Sequence, residues 1–377
     1  MSRLSWARFR RAVVGVPVMP PAWLARIVLY VRALLSRVQR SVAPPSLQVM
    51  EALLSILDNR ALALLVDLRV PDLLSVPRTL HELADDSDTD ATNLQRLLRY
   101  SVSRGLLRLD RHGRYRSNRL LKALRSDQIN PWTGWVSMAG SDWFWDALRH
   151  LEAPLRNPSI SGIRSATGHE FHEYVNSIRP DAGVAFNTAM EAGSTLQSVV
   201  LAQSLNWSET RKVCDIGGGT GSALEVLLRA HSLLEATLFD LPEVVDKARS
   251  ALRSGPLSAR CEIVGGSFFD SIPGGADRYL MLRVVNEWED SHARMILKSV
   301  IDAMQPDARI LVVEHVLPKK PRNDLSIVSD FMKLALLGRE RTVNEYQNLF
   351  ESVGLQIERT ILLPTGATVF ELSEITS

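Results

Sequence analysis

Apolar residues at Trp23, Leu24, Ile27, Val28, Val31, Leu34, Leu35 and Val38 recur at helical spacing, with Arg26, Arg32 and Arg37 off the stripe. This pattern predicts an amphipathic helix. "SLQVMEALLSIL" and "RALALLVDL" predict two further helices, and "TLHELADD" another that starts near Thr79. "DATNLQRLLRYSVSRGLL" predicts a helix capped by Asp90, with Leu94, Leu97, Leu98 and Val102 on one face. "LLRLDRHGRYRS" then alternates around Gly113 like a hairpin, and helices followed by such a hairpin predict a winged helix. Residues 130–195 read as helical and rich in aromatics, with Trp132, Trp135, Trp143, Phe144 and Trp145. Within "FNTAMEAGS", Phe186 and Met190 are candidate walls for an aromatic substrate.

Beyond residue 196 the period changes. Val213–Ile216 form a short β-type run, Gly217, Gly218, Gly219 and Gly221 follow, and Ala223 opens a helix with Leu224, Leu227 and Leu228 on one side. Strand, glycine turn and helix make the first unit of a doubly wound α/β sheet. "ATLFDLPEVV", "RYLMLRVV", "RILVVEHVL", "LQIERTILL" and "ATVFELSE" continue it as strands, with helices over 291–304, 325–337 and 343–352. If the strands are parallel, Asp215, Asp240, Asn286 and Glu314 share the sheet's carboxyl edge, where ligands bind. Three segments result: an Arg-rich arm over 1–45, a helical winged-helix-like domain over 46–195 for dimerisation and the substrate pocket, and a Rossmann-like domain over 196–377.

Charge sharpens the reading of the arm. The chain has 377 residues and a net charge of +2, yet residues 1–45 contain eight Arg and no acid. Removing these eight from the 44 basic residues leaves 36 against 42 acidic ones, so the body is mildly acidic. That balance argues against nucleic acid as a partner, and the helix that would enter a groove offers Asn93, Gln95 and Arg96 among its polar residues but no dense basic stripe. The Arg interruptions break any membrane-spanning run, and Pro20 and Pro21 spoil a signal-peptide core. Three roles stay open for the arm: packing on a partner subunit, lying on a membrane surface, or acting as a targeting segment or tail. Only Cys214 and Cys261 are present, without metal-ligand spacing, so no metal is expected and a reducing, cytoplasmic compartment is the simplest reading.

The glycine loop departs from a dinucleotide fingerprint, because Ser222 stands where the third glycine is wanted. Asp215 before the loop would repel a pyrophosphate but suits the cationic amine and sulfonium end of S-adenosylmethionine. Asp240, with Leu241 beside it, ends the next strand where a carboxylate can accept both ribose hydroxyls.

These stretches, together with "GGSFFDSIP", "YLMLRVVNEWEDSHARMIL", "ILVVEHVLP" and "LALLGRERTVNEYQNLFESVGL", resemble the S-adenosylmethionine-dependent O-methyltransferases of the plant caffeate and flavonoid type and of bacterial polyketide tailoring. The resemblance runs from about residue 46 to the C-terminus. It implies a homodimer, a winged-helix dimerisation domain before a Rossmann-like methyltransferase domain, and a hydroxylated aromatic or polyketide-like substrate. Asp215, Gly217, Gly219 and Gly221 match the cofactor loop, Asp240 the ribose acid and Trp288 the cover of the cofactor. Glu314 and Glu340 match the two acids flanking the catalytic base. At three places the chain departs: Ser267 and Phe268 replace Asp-Met near the adenine, Arg283 replaces a common Lys, and Asn286-Glu287-Trp288 replaces His-Asp-Trp.

Asn286 has no titrating nitrogen and cannot remove a hydroxyl proton. The expectation is methyl transfer by proximity and orientation, with Asn286 orienting the substrate oxygen and His315, His292 or Glu287 as substitute bases. His315, next to Glu314 on a strand, should face away from that acid. The alternatives are a reaction in which the cofactor donates no methyl group, such as decarboxylation or hydroxylation, and a catalytically silent subunit.

Overall fold

The computed structural model describes residues 22–128, 132–336 and 338–375. It divides into two compact units, one of residues 31–193 and one containing residues 194–377. The first part of the arm lies outside the described residues, and its amphipathic stripe falls on a helix over Ala22–Val42. Ile27, Val28, Val31, Leu34, Leu35 and Val38 are all exposed there. No helix among the described residues is long and apolar enough to cross a membrane.

In the helical unit the two segments expected after residue 46 merge into one helix, Pro45–Asp67. Asn59 and Arg60, polar but good enough in a helix interior, do not interrupt it. Thr79 starts the helix Leu80–Asp86 through a reciprocal capping box with Glu82, and the Asp90 carboxylate accepts from the Asn93 N–H at 2.9 Å to start Ala91–Ser103. Leu94 and Leu98 go into a core with Leu65, Leu83 and Leu121. Strands β1 (Arg108–Leu109) and β2 (Tyr115–Arg116) pair antiparallel across the turn at Gly113, as the alternation there predicts.

The other unit contains β3 (Lys212–Ile216), β4 (Glu235–Asp240), β5 (Cys261–Gly265), β6 (Arg278–Leu282), β7 (Arg309–Leu317), β8 (Arg341–Thr342), β9 (Leu355–Leu362) and β10 (Ala367–Glu374). The main sheet runs β5-β4-β3-β6-β7-β10-β9, with β8 paired to the end of β7. Strands β3 to β7 are parallel, whereas β10 is antiparallel to both β7 and β9. The sheet is therefore mixed rather than parallel throughout. The reason is local: only Leu363, Pro364, Thr365 and Gly366 separate β9 from β10, too little chain for a helical crossover.

Successive side chains feed two cores. Val213, Leu280, Leu311 and Val313 point to one face, and Cys214, Tyr279, Met281 and Val312 to the other. The chain leaves β3 toward β4 on one side and β6 on the other, so the loops after β3, β4 and β6 converge at a switch point, where such sheets hold ligands.

Candidate active site

At the end of β3, Asp215 is 1% exposed, and neither carboxylate oxygen has a hydrogen-bond partner among the described residues. Burial, and then the nearby Asp240 charge, push it up to about 8. Gly217, Gly219 and Gly221 all take positive φ. Gly218 is required for another reason: a Cβ there would lie 2.7 Å from Asp215 Oδ2 and 2.6 Å from Leu238 Cδ1. The loop thus folds over an acid with no cationic partner among the described residues. Asp240, half-buried at the end of β4, accepts from Gly219 N at 2.8 Å and from Leu241 N at 2.7 Å. Burial raises its pKa despite these two bonds.

Next to the loop, Phe268 and Phe269 pack edge-on against each other and against Trp288, with ring centroids 4.9–5.6 Å apart. His292 joins this cluster at 5.8 Å from Phe269. A Cβ on Gly217 would come within 3.9 Å of Phe268, so the rings border the glycine loop. The Ser267 hydroxyl accepts from Phe269 N at 3.2 Å and holds the turn between them.

Past β6 the chain turns sharply. Arg283 has φ +64°, a left-handed conformation rare for a residue with a Cβ, and its guanidinium reaches two buried acids. Nη1 donates to Glu314 Oε2 at 3.0 Å and to Glu340 Oε2 at 3.2 Å, and Nη2 donates to Glu340 Oε1 at 2.6 Å. Both acids have fully buried side chains. Glu340 also accepts from Ser329 Oγ at 2.7 Å and Asn286 Nδ2 at 3.3 Å. Burial raises the pKa of Glu340, but Arg283 more than offsets it and holds the acid near 2. For Glu314 burial wins over Arg283 and the pKa rises to about 7. The Glu314 carboxylate also accepts from the Asn286 N–H at 3.2 Å.

Asn286 itself is 1% exposed, and its Oδ1 has no hydrogen-bond partner among the described residues. Because Nδ2 donates to a carboxylate, the amide orientation is decided: the free end is the acceptor. The turn is pinned from beneath by Gly338, where a Cβ would lie 2.2 Å from the Asn286 carbonyl oxygen and 2.6 Å from Glu287 Cα. Glu287 raises the pKa of Asp240, so its charge is felt at the cofactor side of the edge. His315 lies across the sheet from Glu314, its Nε2 3.3 Å from Gln197 Nε2. Burial, then Arg283, push its pKa down to about 4.

The structure thus brings Asp215, the glycine loop, Asp240, Leu241, Phe268 and Trp288 to one stretch of the edge, and Arg283, Asn286, Glu314 and Glu340 to the next. Arg283 has its guanidinium engaged by the two acids. Phe186 and Met190 lie on the helix Pro180–Ser204, Phe186 packed edge-on against Phe171 at 4.8 Å. Sequence reasoning missed Ser329, Asp330, Lys333 and Gly338. Their signal was a polar stripe, Ser329 and Lys333 one turn apart, on an otherwise apolar helix.

Residues 149–356 match the O-methyltransferase domain family and residues 50–127 the O-methyltransferase dimerisation domain. A mitomycin biosynthesis 6-O-methyltransferase of Streptomyces lavendulae is 33% identical over 84% of this chain and 90% of its own length. The O-demethylpuromycin-O-methyltransferase of Streptomyces alboniger is 31% identical over 84% and 85%. Among solved structures, a mitomycin 7-O-methyltransferase superposes with a TM-score of 0.81 at 31% identity, covering 90% of this chain and 99% of that one. A neocarzinostatin-pathway O-methyltransferase, solved with S-adenosylmethionine and 2-hydroxy-5-methyl naphthoic acid, does so with a TM-score of 0.72 at 28% identity, over 84% and 96%. A helical N-terminal unit, a switch-point glycine loop over a buried acid, and relatives alike over most of their length agree: the chain belongs to the O-methyltransferase family that carries an N-terminal dimerisation domain.

Proposed function

We propose that this protein methylates a hydroxyl group of a small aromatic or polyketide-like molecule with S-adenosylmethionine, working as a homodimer joined through the helical domain of residues 46–195. The observation that carries the reading is Asp215: a buried carboxylate with both oxygens free beneath a glycine loop calls for a cationic ligand. Bound S-adenosylmethionine supplies the electrophilic methyl group. Gly217, Gly219 and Gly221 would let its amino-acid end approach the loop backbone, Asp240 and Leu241 would hold the ribose, Ser267 and Phe268 would lie by the adenine, and Trp288 would cover the cofactor. Asn286 presents its free Oδ1 to the substrate hydroxyl and orients the oxygen. Arg283, Glu314 and Glu340 hold Asn286 in place, with Glu287 beside it.

Energetics favour this reading even without the imidazole. General-base catalysis contributes about 10²–10⁴ in rate, whereas holding two reactants in line contributes about 7–11 kcal/mol. Positioning is the larger effect. The test is transfer of label from methyl-labelled S-adenosylmethionine to a panel of hydroxylated aromatics, with label expected on oxygen. Cofactor binding without transfer to any phenol would overturn the reading in favour of a non-methylating or silent protein.

A further inference from the structure

We propose that Lys333 is the proton acceptor of this site, in place of the absent imidazole. The inference rests on the methyl-transfer reading above. Lys333 ends the helix Leu325–Lys333, whose Ser329 donates to Glu340 at 2.7 Å and whose Asp330 accepts from Glu340 N at 2.9 Å. Four residues after Ser329, Lys333 returns to the same helix face, so its amine is carried toward the carboxylate that also holds Asn286. It is half-buried and makes no hydrogen bond or ion pair with any described residue. Its charged surroundings are Glu287 and Arg283 from the turn after β6, Glu314 from β7, Glu340 from the segment before β8 and Asp330 on its own helix. Burial pushes its amine down; Glu287, Glu340 and Glu314 oppose this and Arg283 adds to it.

The other groups are worse placed. Glu314 and Glu340 are wholly buried and already bonded to Arg283. His315 is a weak acceptor, pushed to about 4, and His292 belongs to the Phe269–Trp288 ring cluster. Lys333 combines a titrating nitrogen, a lone pair when neutral, and a place on the helix whose Ser329 bonds the Glu340 carboxylate that holds Asn286. Asn286 Oδ1 holds the hydroxyl hydrogen before reaction. The O–H then turns from Oδ1 to Nζ; as the oxygen–methyl bond forms and the methyl–sulfur bond breaks with its electrons left on sulfur, the O–H bond breaks, its electrons stay on oxygen, and the proton joins the Nζ lone pair. The ammonium so formed then loses its proton to water.

Two measurements on the full chain test this. With a phenol that the wild type methylates, Lys333→Met and Lys333→Gln should lower kcat about 100-fold, within the usual range for a lost base, and should abolish the rising limb of the pH–rate profile. A rise in KM alone would make Lys333 a substrate anchor and overturn the proposal. In protein labelled with ¹⁵N at lysine Nζ, one resonance absent from Lys333→Met should titrate below the ordinary value of about 10.4. An ordinary midpoint for that resonance also overturns it. Failure of the wild type to transfer any label removes the methyl-transfer reading itself, whereas transfer with unchanged Lys333→Met kinetics removes only the role given to Lys333.

Discussion

Asp215 and Glu340 are both 1% exposed carboxylates at the same edge of one sheet, yet their surroundings are opposite. Asp215 has no hydrogen-bond partner among the described residues, and burial lifts it to about 8. Glu340 accepts from Arg283, Asn286 and Ser329, and Arg283 holds it near 2 against the effect of burial. A buried carboxylate costs free energy unless a cation accompanies it. Glu340 has its cation built in, so it belongs to the scaffold. Asp215 lacks one, which is the mark of an acid kept for a cation that arrives with a ligand.

The sharpest way to break this contrast is to remove the resident cation. Arg283→Met should destabilise the protein by about 3–5 kcal/mol, the usual cost of stripping one partner from a buried pair, as measured by urea unfolding. Asp215→Asn should do the reverse to the ligand-free protein and stabilise it, while weakening S-adenosylmethionine binding by about 1.5–3 kcal/mol, roughly 10- to 100-fold in Kd by calorimetry.

The pH dependence of Asp215 follows from the same shift. Its carboxyl titrates near 3.8 when unfolded and near 8 when folded, so the folded state holds the extra proton between these values. Stability of the ligand-free protein therefore falls as pH rises from about 4 to about 8, and Asp215→Asn flattens that slope. Affinity for the cationic cofactor runs the other way and increases with pH up to about 8. The smallest expected effect is Ser329→Ala, which removes one of the bonds to Glu340 and should cost about 0.5–1.5 kcal/mol in the same unfolding assay.

What could be read from the chain alone divides along similar lines. Strands β7 and β10 were legible to the residue, because continuous apolar runs bounded by turn residues admit few other readings. Asp215 and Asn286 were legible because loop and turn positions are tied to strand ends. The antiparallel pairing of β10 was not, since periodicity reports burial and not strand direction. Nor was the bond of Arg283 to Glu314 and Glu340, residues 31 and 57 positions away, because it depends on a left-handed backbone at a non-glycine residue. Lys333 was missed for a related reason. A lone lysine in a helix looks like ordinary solvated surface until its neighbours are known.

The backbone turn at Arg283 also bears on how the protein could change over evolutionary time. Histidine placed at position 286 would meet two acids that already share the Arg283 guanidinium, and its ring would have to take over the bond that Asn286 Nδ2 gives to Glu340. The two positions are thus tied through Glu340, which bonds both side chains, so a substitution at either one alters the surroundings of the other.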